Sequence, residues 1–249
     1  MDKTELSVFC PATIANLSCG FDVLGLALEG VGDRMTVRLS GHEKHILPGS
    51  GIGSSAASAA GVVWALNQLL GIPFSLPELV SFAAAGEALA SGTPHADNVA
   101  PALYGGITLI RGYEPLDIAR VHCPPLLHAV VLHPQIELKT SDSRSILKRN
   151  ITLEQGIRQW GNVGGLITGF FTEDYGLAEL KESALQAGAL GFGISGSGPS
   201  VFALTRGAAS ARETEEALNR QYESMGIPFR TFSSPVNKVG VRPWKNESR

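Results

Sequence analysis

Residues 34–39, RMTVRL, alternate polar and apolar positions, the period of a half-buried strand. The pattern then changes. From Ser54 to Leu70 small and apolar residues predict a helix, with Gly71 as its C-terminal stop. A second helix is predicted from Ser75, where Ser75 and Glu78 have capping-box spacing and Pro77 suits a first turn. It carries Glu87 and runs out near Ser91-Gly92. Residues 105–111, GGITLIR, and 128–133, HAVVLH, read as strands. Thr152 and Gln155 open a helix that continues to Phe171, and another covers 177–187 before Gly188. Residues 191–205, GFGISGSGPSVFALT, read as a glycine loop feeding an apolar strand. Ser210 and Glu213 have capping spacing ahead of a charged helix that stops near Gly226. Strands and helices mix without regular βα alternation, so the expected fold is α+β. A boundary at His122-Cys123-Pro124-Pro125 divides the chain into halves, 1–125 and 126–249.

Composition narrows the function. The 249 residues are 44% hydrophobic and 17% charged, enough apolar material for a core in one or two domains. Net charge is −3 and no basic run appears, so nucleic acid is not an expected partner. Cys10, Cys19 and Cys123 form no CxxC pair, which argues against a disulfide framework and a zinc site. No apolar run is long enough to span a bilayer, and MDKTELSVF lacks the apolar core of a signal peptide. A cytoplasmic protein is expected. His42, His45, His122, His128 and His133 match no usual ligand spacing and are assigned no chemistry.

One stretch invites chemistry. Residues 48–61, PGSGIGSSAASAAG, place bare backbone and hydroxyls where a helix begins. A helix N-terminus offers unpaired N–H groups and a partial positive charge, and glycine lets a polyanion approach them. The stretch is not a Walker A motif, because no Gly-Lys-Ser/Thr closes it, nor a dinucleotide fingerprint, because Ser54 stands where the third glycine would be. Composition alone would also fit a flexible linker. A phosphate site is the better expectation, although these residues do not name the ligand.

Four stretches together do. Residues 11–28 (PATIANLSCGFDVLGLAL), 48–57 (PGSGIGSSAA), 92–106 (GTPHADNVAPALYGG) and 191–202 (GFGISGSGPSVF) resemble signature segments of the GHMP small-molecule kinase family, the first and third in the form found in members acting on L-homoserine. The resemblance runs from Val8 to Leu204. It implies a two-domain α+β fold with an N-terminal phosphate-loop half and a ferredoxin-like C-terminal half. It implies ATP and Mg2+, L-homoserine as the small-molecule substrate, and phosphorylation of its hydroxyl; it leaves a homodimer open. Carried over residue by residue, Pro48, Gly49, Ser50, Gly51, Ile52, Gly53, Ser54 and Ser55 would cradle the ATP phosphates. Ser55 and Glu87 would hold magnesium. Read without the resemblance, Glu87 in FAAAGEALAS is the solvated face of a helix.

For the acceptor, the resemblance implies Asp22 for the ammonium with Asn16 beside it, and Arg144 for the carboxylate through its planar fork. Thr140 and Asn98 match positions near the acceptor hydroxyl, and His95, Gly196 and Gly198 line the same pocket. Read alone, Asp22 would be a loop cap and Arg144 a surface charge. Asp97 matches a carboxylate that serves as base in some relatives, although a loose phosphoryl-transfer transition state needs no committed base. Two pieces are shorter than the resemblance leads one to expect. SGHEKHIL stands where relatives carry part of an adenine pocket, and FTEDYGLAELKESAL where they carry a second arginine, so neither role is assigned to a residue. Two other functions compete: a GHMP kinase for a different small alcohol, and a non-catalytic nucleotide-binding protein on the same scaffold.

Overall fold

The computed structural model describes residues 4–39, 54–91, 94–136, 150–173 and 190–244. Among the described residues nine strands form two antiparallel sheets. The first contains β1 (Glu5–Ala15), β2 (Leu24–Arg38), β3 (Ile107–Tyr113), β4 (Leu116–Val121) and β9 (Arg242–Pro243), in the order β4-β3-β2-β1-β9. The second contains β5 (Leu127–Pro134), β6 (Gly191–Ile194), β7 (Val201–Arg206) and β8 (Phe229–Pro235), in the order β6-β7-β5-β8. Five described helices accompany them: α1 (Ser54–Leu69), α2 (Leu76–Ser91), α3 (Ala96–Tyr104), α4 (Leu153–Thr172) and α5 (Gly207–Ser224). The α+β class expected from the sequence is the one observed.

The sheets change between β4 and β5, yet the chain returns to the first sheet at its end. Asn237 ties that return: its N–H donates to the Ala27 carbonyl, and its Oδ1 accepts from the N–H groups of Val239 and Gly240, each at 2.8 Å. Residues 34–38 of the alternating segment are the outer part of the longer β2, which pairs with β1 from Glu5↔Arg38 to Ala15↔Gly25. Its inner part, LGLAL, is buried on both faces and so shows no period-2 signal.

Two apolar clusters support the site. In one, Ile14, Leu17, Leu24 and Leu26 of the first sheet and its loop pack with Leu127, Val131, Phe202 and Leu204 of the second, closed by Leu166 and Phe170 of α4. In the other, α1, α2 and α3 pack on the first sheet through small residues, among them Ala56, Ala57, Ala60, Ala83 and Ala100 around Val8 and Cys10. Small side chains let backbones come close. A Cβ on Gly61 would lie 2.1 Å from the Cys10 sulfur, and one on Gly25 of β2 would lie 1.8 Å from the Asp97 carbonyl of α3. The second contact seats the N-terminal turn of α3 on the sheet.

Helix starts written in local chemistry are found where expected. The α1 helix begins at Ser54 and stops before Gly71 at φ 84°. Thr152 and Gln155 cap α4 reciprocally. The α5 helix differs from its expectation: it begins at Gly207, so Ser210 lies inside its first turn. There β7 runs directly into the helix through Gly207, whose φ of 79° and N–H bond to the Leu126 carbonyl make the turn. The helix expected at 177–187 lies outside the described residues.

Candidate functional site

The loop joining β1 to β2, residues 16–23, holds three non-glycine residues in the left-handed region: Asn16, Ser18 and Asp22, with φ of 59°, 52° and 57°. Asn and Asp tolerate this region better than other side chains, but it still costs energy unless neighbours hold it. Here they do. The Asp22 N–H donates to Asn16 Oδ1 at 2.6 Å, and Asn16 Nδ2 donates to the Gly196 carbonyl at 2.8 Å. The Tyr113 hydroxyl donates to the Asp22 carbonyl at 2.9 Å, and Gln159 Nε2 donates to the Cys19 carbonyl. The loop is thus tied to β3, to α4 and to the glycine turn before β7.

The α3 helix presents the next group. His95 is its N-cap residue and Asp97 lies in its first turn, where the helix dipole favours a carboxylate. Asp97 is only 2% exposed, and Asn16 and His95 are also buried. Ligand atoms of Asp22, His95 and Asp97 all lie within 4.8 Å of one another. Two carboxylates and an imidazole gathered this way suit a cation with several donors, such as a primary ammonium, or a metal ion. Beside them, the Thr13 hydroxyl donates to Asn98 Oδ1 at 3.0 Å. That bond orients the amide so that Nδ2 is the donor it can offer to a ligand oxygen.

A second group stands at the start of α1. The Ser55 hydroxyl donates to Glu87 Oε1 at 3.1 Å. Glu87 is 5% exposed, so the solvated-face reading does not hold. Burial pushes its carboxyl above the usual range, and the Ser55 hydrogen bond partly offsets this. A buried carboxylate and a hydroxyl are hard oxygen donors that fit Mg2+.

The third piece is the turn between β6 and β7. Ser195 N–H donates to the Ser200 carbonyl at 2.9 Å, and Gly198 N–H to the Ser195 carbonyl at 3.0 Å. Gly196 and Gly198 have φ of 58° and 81°, which explains glycine at both positions. The Gly196 N–H donates to the Ala15 carbonyl, and its own carbonyl receives Asn16, so the turn clasps the end of β1.

Of the residues singled out from sequence, the structure brings together Asn16, Asp22, His95, Asp97, Asn98 and Gly196 through these contacts, with Gly198 in the same turn; Ser55 and Glu87 form a separate pair. Ser54 starts α1. Pro48, Gly49, Ser50, Gly51, Ile52 and Gly53, together with Thr140 and Arg144, lie outside the described residues. Sequence reading missed Thr13, Tyr113, Gln159 and Gly25. Thr13 and Gly25 stand in the first signature segment, but Tyr113 and Gln159 act through contacts across the fold and carry no local signal.

Comparison with known proteins gives the same frame. The chain matches the family model described as GHMP kinases N terminal domain over residues 20–106, and that described as GHMP kinases C terminal over residues 147–224. It is 36% identical to a homoserine kinase of Chlorobium phaeovibrioides over 94% of the chain and 98% of that protein. It is 34% identical to a homoserine kinase of Chloroherpeton thalassium over 96% of the chain and 99% of that protein. The crystal structure of a homoserine kinase from Cytophaga hutchinsonii superposes with a TM-score of 0.87 at 37% identity, covering 98% of each chain.

Proposed function

Because the chain belongs to the GHMP kinase family, we infer that it transfers the γ-phosphoryl group of ATP to the side-chain hydroxyl of L-homoserine, giving O-phospho-L-homoserine on the route to threonine. The observation that carries this reading is the Ser55–Glu87 pair, a buried carboxylate held by a hydroxyl in the first turn of α1. A carboxylate placed there is costly without a cation and useful with one.

The phosphates of ATP would meet the N-terminus of α1 and the preceding residues Pro48–Gly53, with Ser54 and Ser55 at the helix start. Ser55 and Glu87 would hold Mg2+, which supplies neutralisation of the phosphate charge. The substrate ammonium would sit against Asp22, with His95 lining the same pocket. Asn16 holds the Asp22 backbone and reaches the Gly196 carbonyl, and Gly196 and Gly198 would line the pocket. Arg144 would take the substrate carboxylate, and Thr140 and Asn98 the hydroxyl. Positioning and charge stabilisation dominate a loose phosphoryl transfer, so the hydroxyl proton leaves late and no committed base is needed. Asp97 is the carboxylate available to receive it.

Among the described residues no helix is long and apolar enough to cross a membrane. We place the enzyme in the cytoplasm, with a homodimer as its candidate assembly, to be read by sedimentation. The test of function is ADP release with ATP and Mg2+ over a panel of L-homoserine, L-serine, L-threonine, mevalonate and galactose. The reading expects turnover with homoserine; turnover with another alcohol alone keeps a kinase and moves its substrate. The two short segments, SGHEKHIL and FTEDYGLAELKESAL, favour one second reading, a nucleotide-binding protein without turnover. ATP binding without ADP release would select it.

A further inference from the structure

We propose that His133, through Ser200, positions the β1–β2 loop that receives the acceptor. His133 lies near the end of β5 and belongs to neither the phosphate nor the acceptor group. Its Nδ1 is hydrogen-bonded to Ser200 Oγ at 2.8 Å, and Ser200 is buried. From Ser200 a line of hydrogen bonds runs to the site. The Ser200 carbonyl accepts the Ser195 N–H and closes the glycine turn; the Gly196 carbonyl in that turn accepts Asn16 Nδ2; Asn16 Oδ1 accepts the Asp22 N–H. Each joint is a polar contact at 2.6 to 2.9 Å.

The strain in the loop is the reason the line matters. Asn16 and Asp22 are both left-handed non-glycine residues and keep that shape only while neighbours hold it. The glycine turn is one of those neighbours, closed by the Ser195 N–H bond to the Ser200 carbonyl. Ser200 is where the turn joins β7, and His133 stands opposite it in the adjoining strand, in the register that pairs Leu132 with Val201. Burial and the Arg230 guanidinium, paired with His133 across β8, push the imidazole below its ordinary value, so the ring is neutral around pH 7. A neutral ring has one donor and one acceptor nitrogen, and either suits a serine hydroxyl. His133 is thus a positioning residue, acting through Ser200 and the turn rather than by touching substrate.

This inference rests on the homoserine reading for its kinetic arm only. His133→Phe keeps a ring and loses the bond, Ser200→Ala removes one oxygen, and His133→Asn returns a polar group near the Nδ1 position. Hydrogen exchange of the backbone over residues 15–24 should quicken in the first two variants and recover in the third. The KM for homoserine should rise about fivefold in the first two, while kcat and the KM for ATP stay within about twofold. The double variant should add nothing to either single one, because both remove the same contact. Unchanged exchange over 15–24 in His133→Phe and Ser200→Ala would overturn the proposal, as would a fall in melting temperature with the KM for homoserine unmoved. Should the wild-type protein not turn over homoserine, the functional reading fails and the exchange result alone decides the role of His133.

Discussion

Gly25 gives the sharpest perturbation, because the distances say what must move. It lies in β2 with the first turn of α3 directly above it. A methyl group there would meet the Asp97 carbonyl oxygen at 1.8 Å and the Pro101 ring at 2.8 Å. Ordinary contact begins at 3.4 Å, so Gly25→Ala must push strand and helix apart by about 1.6 Å. The nearest clash is backbone against backbone, and no rotamer relieves it. Overpacking costs about 1–3 kcal/mol, and a backbone clash belongs at the upper end, about 3 kcal/mol. At about 2–4 °C per kcal/mol for a chain of this size, the melting temperature should fall by roughly 6–12 °C. The kinetic effect should be larger than the thermal one suggests, since α3 carries His95, Asp97 and Asn98. A displacement on the order of 1 Å costs about 100-fold in kcat/KM for homoserine, while ATP affinity changes little. Thermal unfolding and coupled ADP release measure both quantities. Gly86→Ala in α2 is the control: its Cβ would sit 3.8 Å from that of Ala59 in α1, so it should add about 0.5–1 kcal/mol of stability. Wild-type melting and kcat/KM in Gly25→Ala would refute the seating of α3 described above.

Four further outcomes are expected. Burial raises the Glu87 carboxyl, so the native state holds that proton more tightly than the unfolded chain. The stability so gained is present below the unfolded value of 4.5 and is lost as pH rises through the raised folded value. Glu87→Gln should therefore melt higher than wild type at pH 7 without ATP and Mg2+, yet lose about 100-fold in turnover; equal melting curves across the pH range would contradict this. Asp22→Asn should raise the KM for homoserine by about 10- to 100-fold, the loss of a charge-assisted hydrogen bond, with the KM for ATP unchanged; a shift in ATP affinity instead would count against the ammonium assignment. Asp97→Asn should retain most of kcat at saturating substrate, and a collapse of kcat would instead make Asp97 a required base. Burial, with Asp33 nearby, pushes the Cys10 thiol up to about 12, so iodoacetamide at pH 8 should leave it unmodified in the native protein by peptide mass spectrometry; labelling before unfolding would contradict the packing of β1 under α1.

What could be read from sequence was the locally encoded part. The start of α1 at Ser54, the glycine that ends it, and the Thr152–Gln155 cap depend on residues within a turn of one another. The α3 helix was not legible. It spans nine residues with Pro101 inside, and its place is set by Gly25, more than seventy positions earlier. Glu87 looked solvated because its helix is rich in alanine all round, which hides the buried face; Ala83 and Ala84 share that burial. Ser210 and Glu213 imitated a cap, but the turn at Gly207 had already started the helix. In the site, Asp22 and Asp97 were nominated by resemblance to family segments. Their proximity to His95, and the clasp of Asn16 by Gly196 across 180 positions, arise only when both sheets are assembled.

The central claim is that the phosphoryl group ends on the homoserine hydroxyl. The direct measurement is 31P NMR of the purified protein with ATP, Mg2+ and L-homoserine. The account predicts a growing phosphomonoester resonance coupled to the two protons of the adjacent methylene, equal in amount to the ADP formed. Inorganic phosphate alone, or no change in ATP, would contradict it.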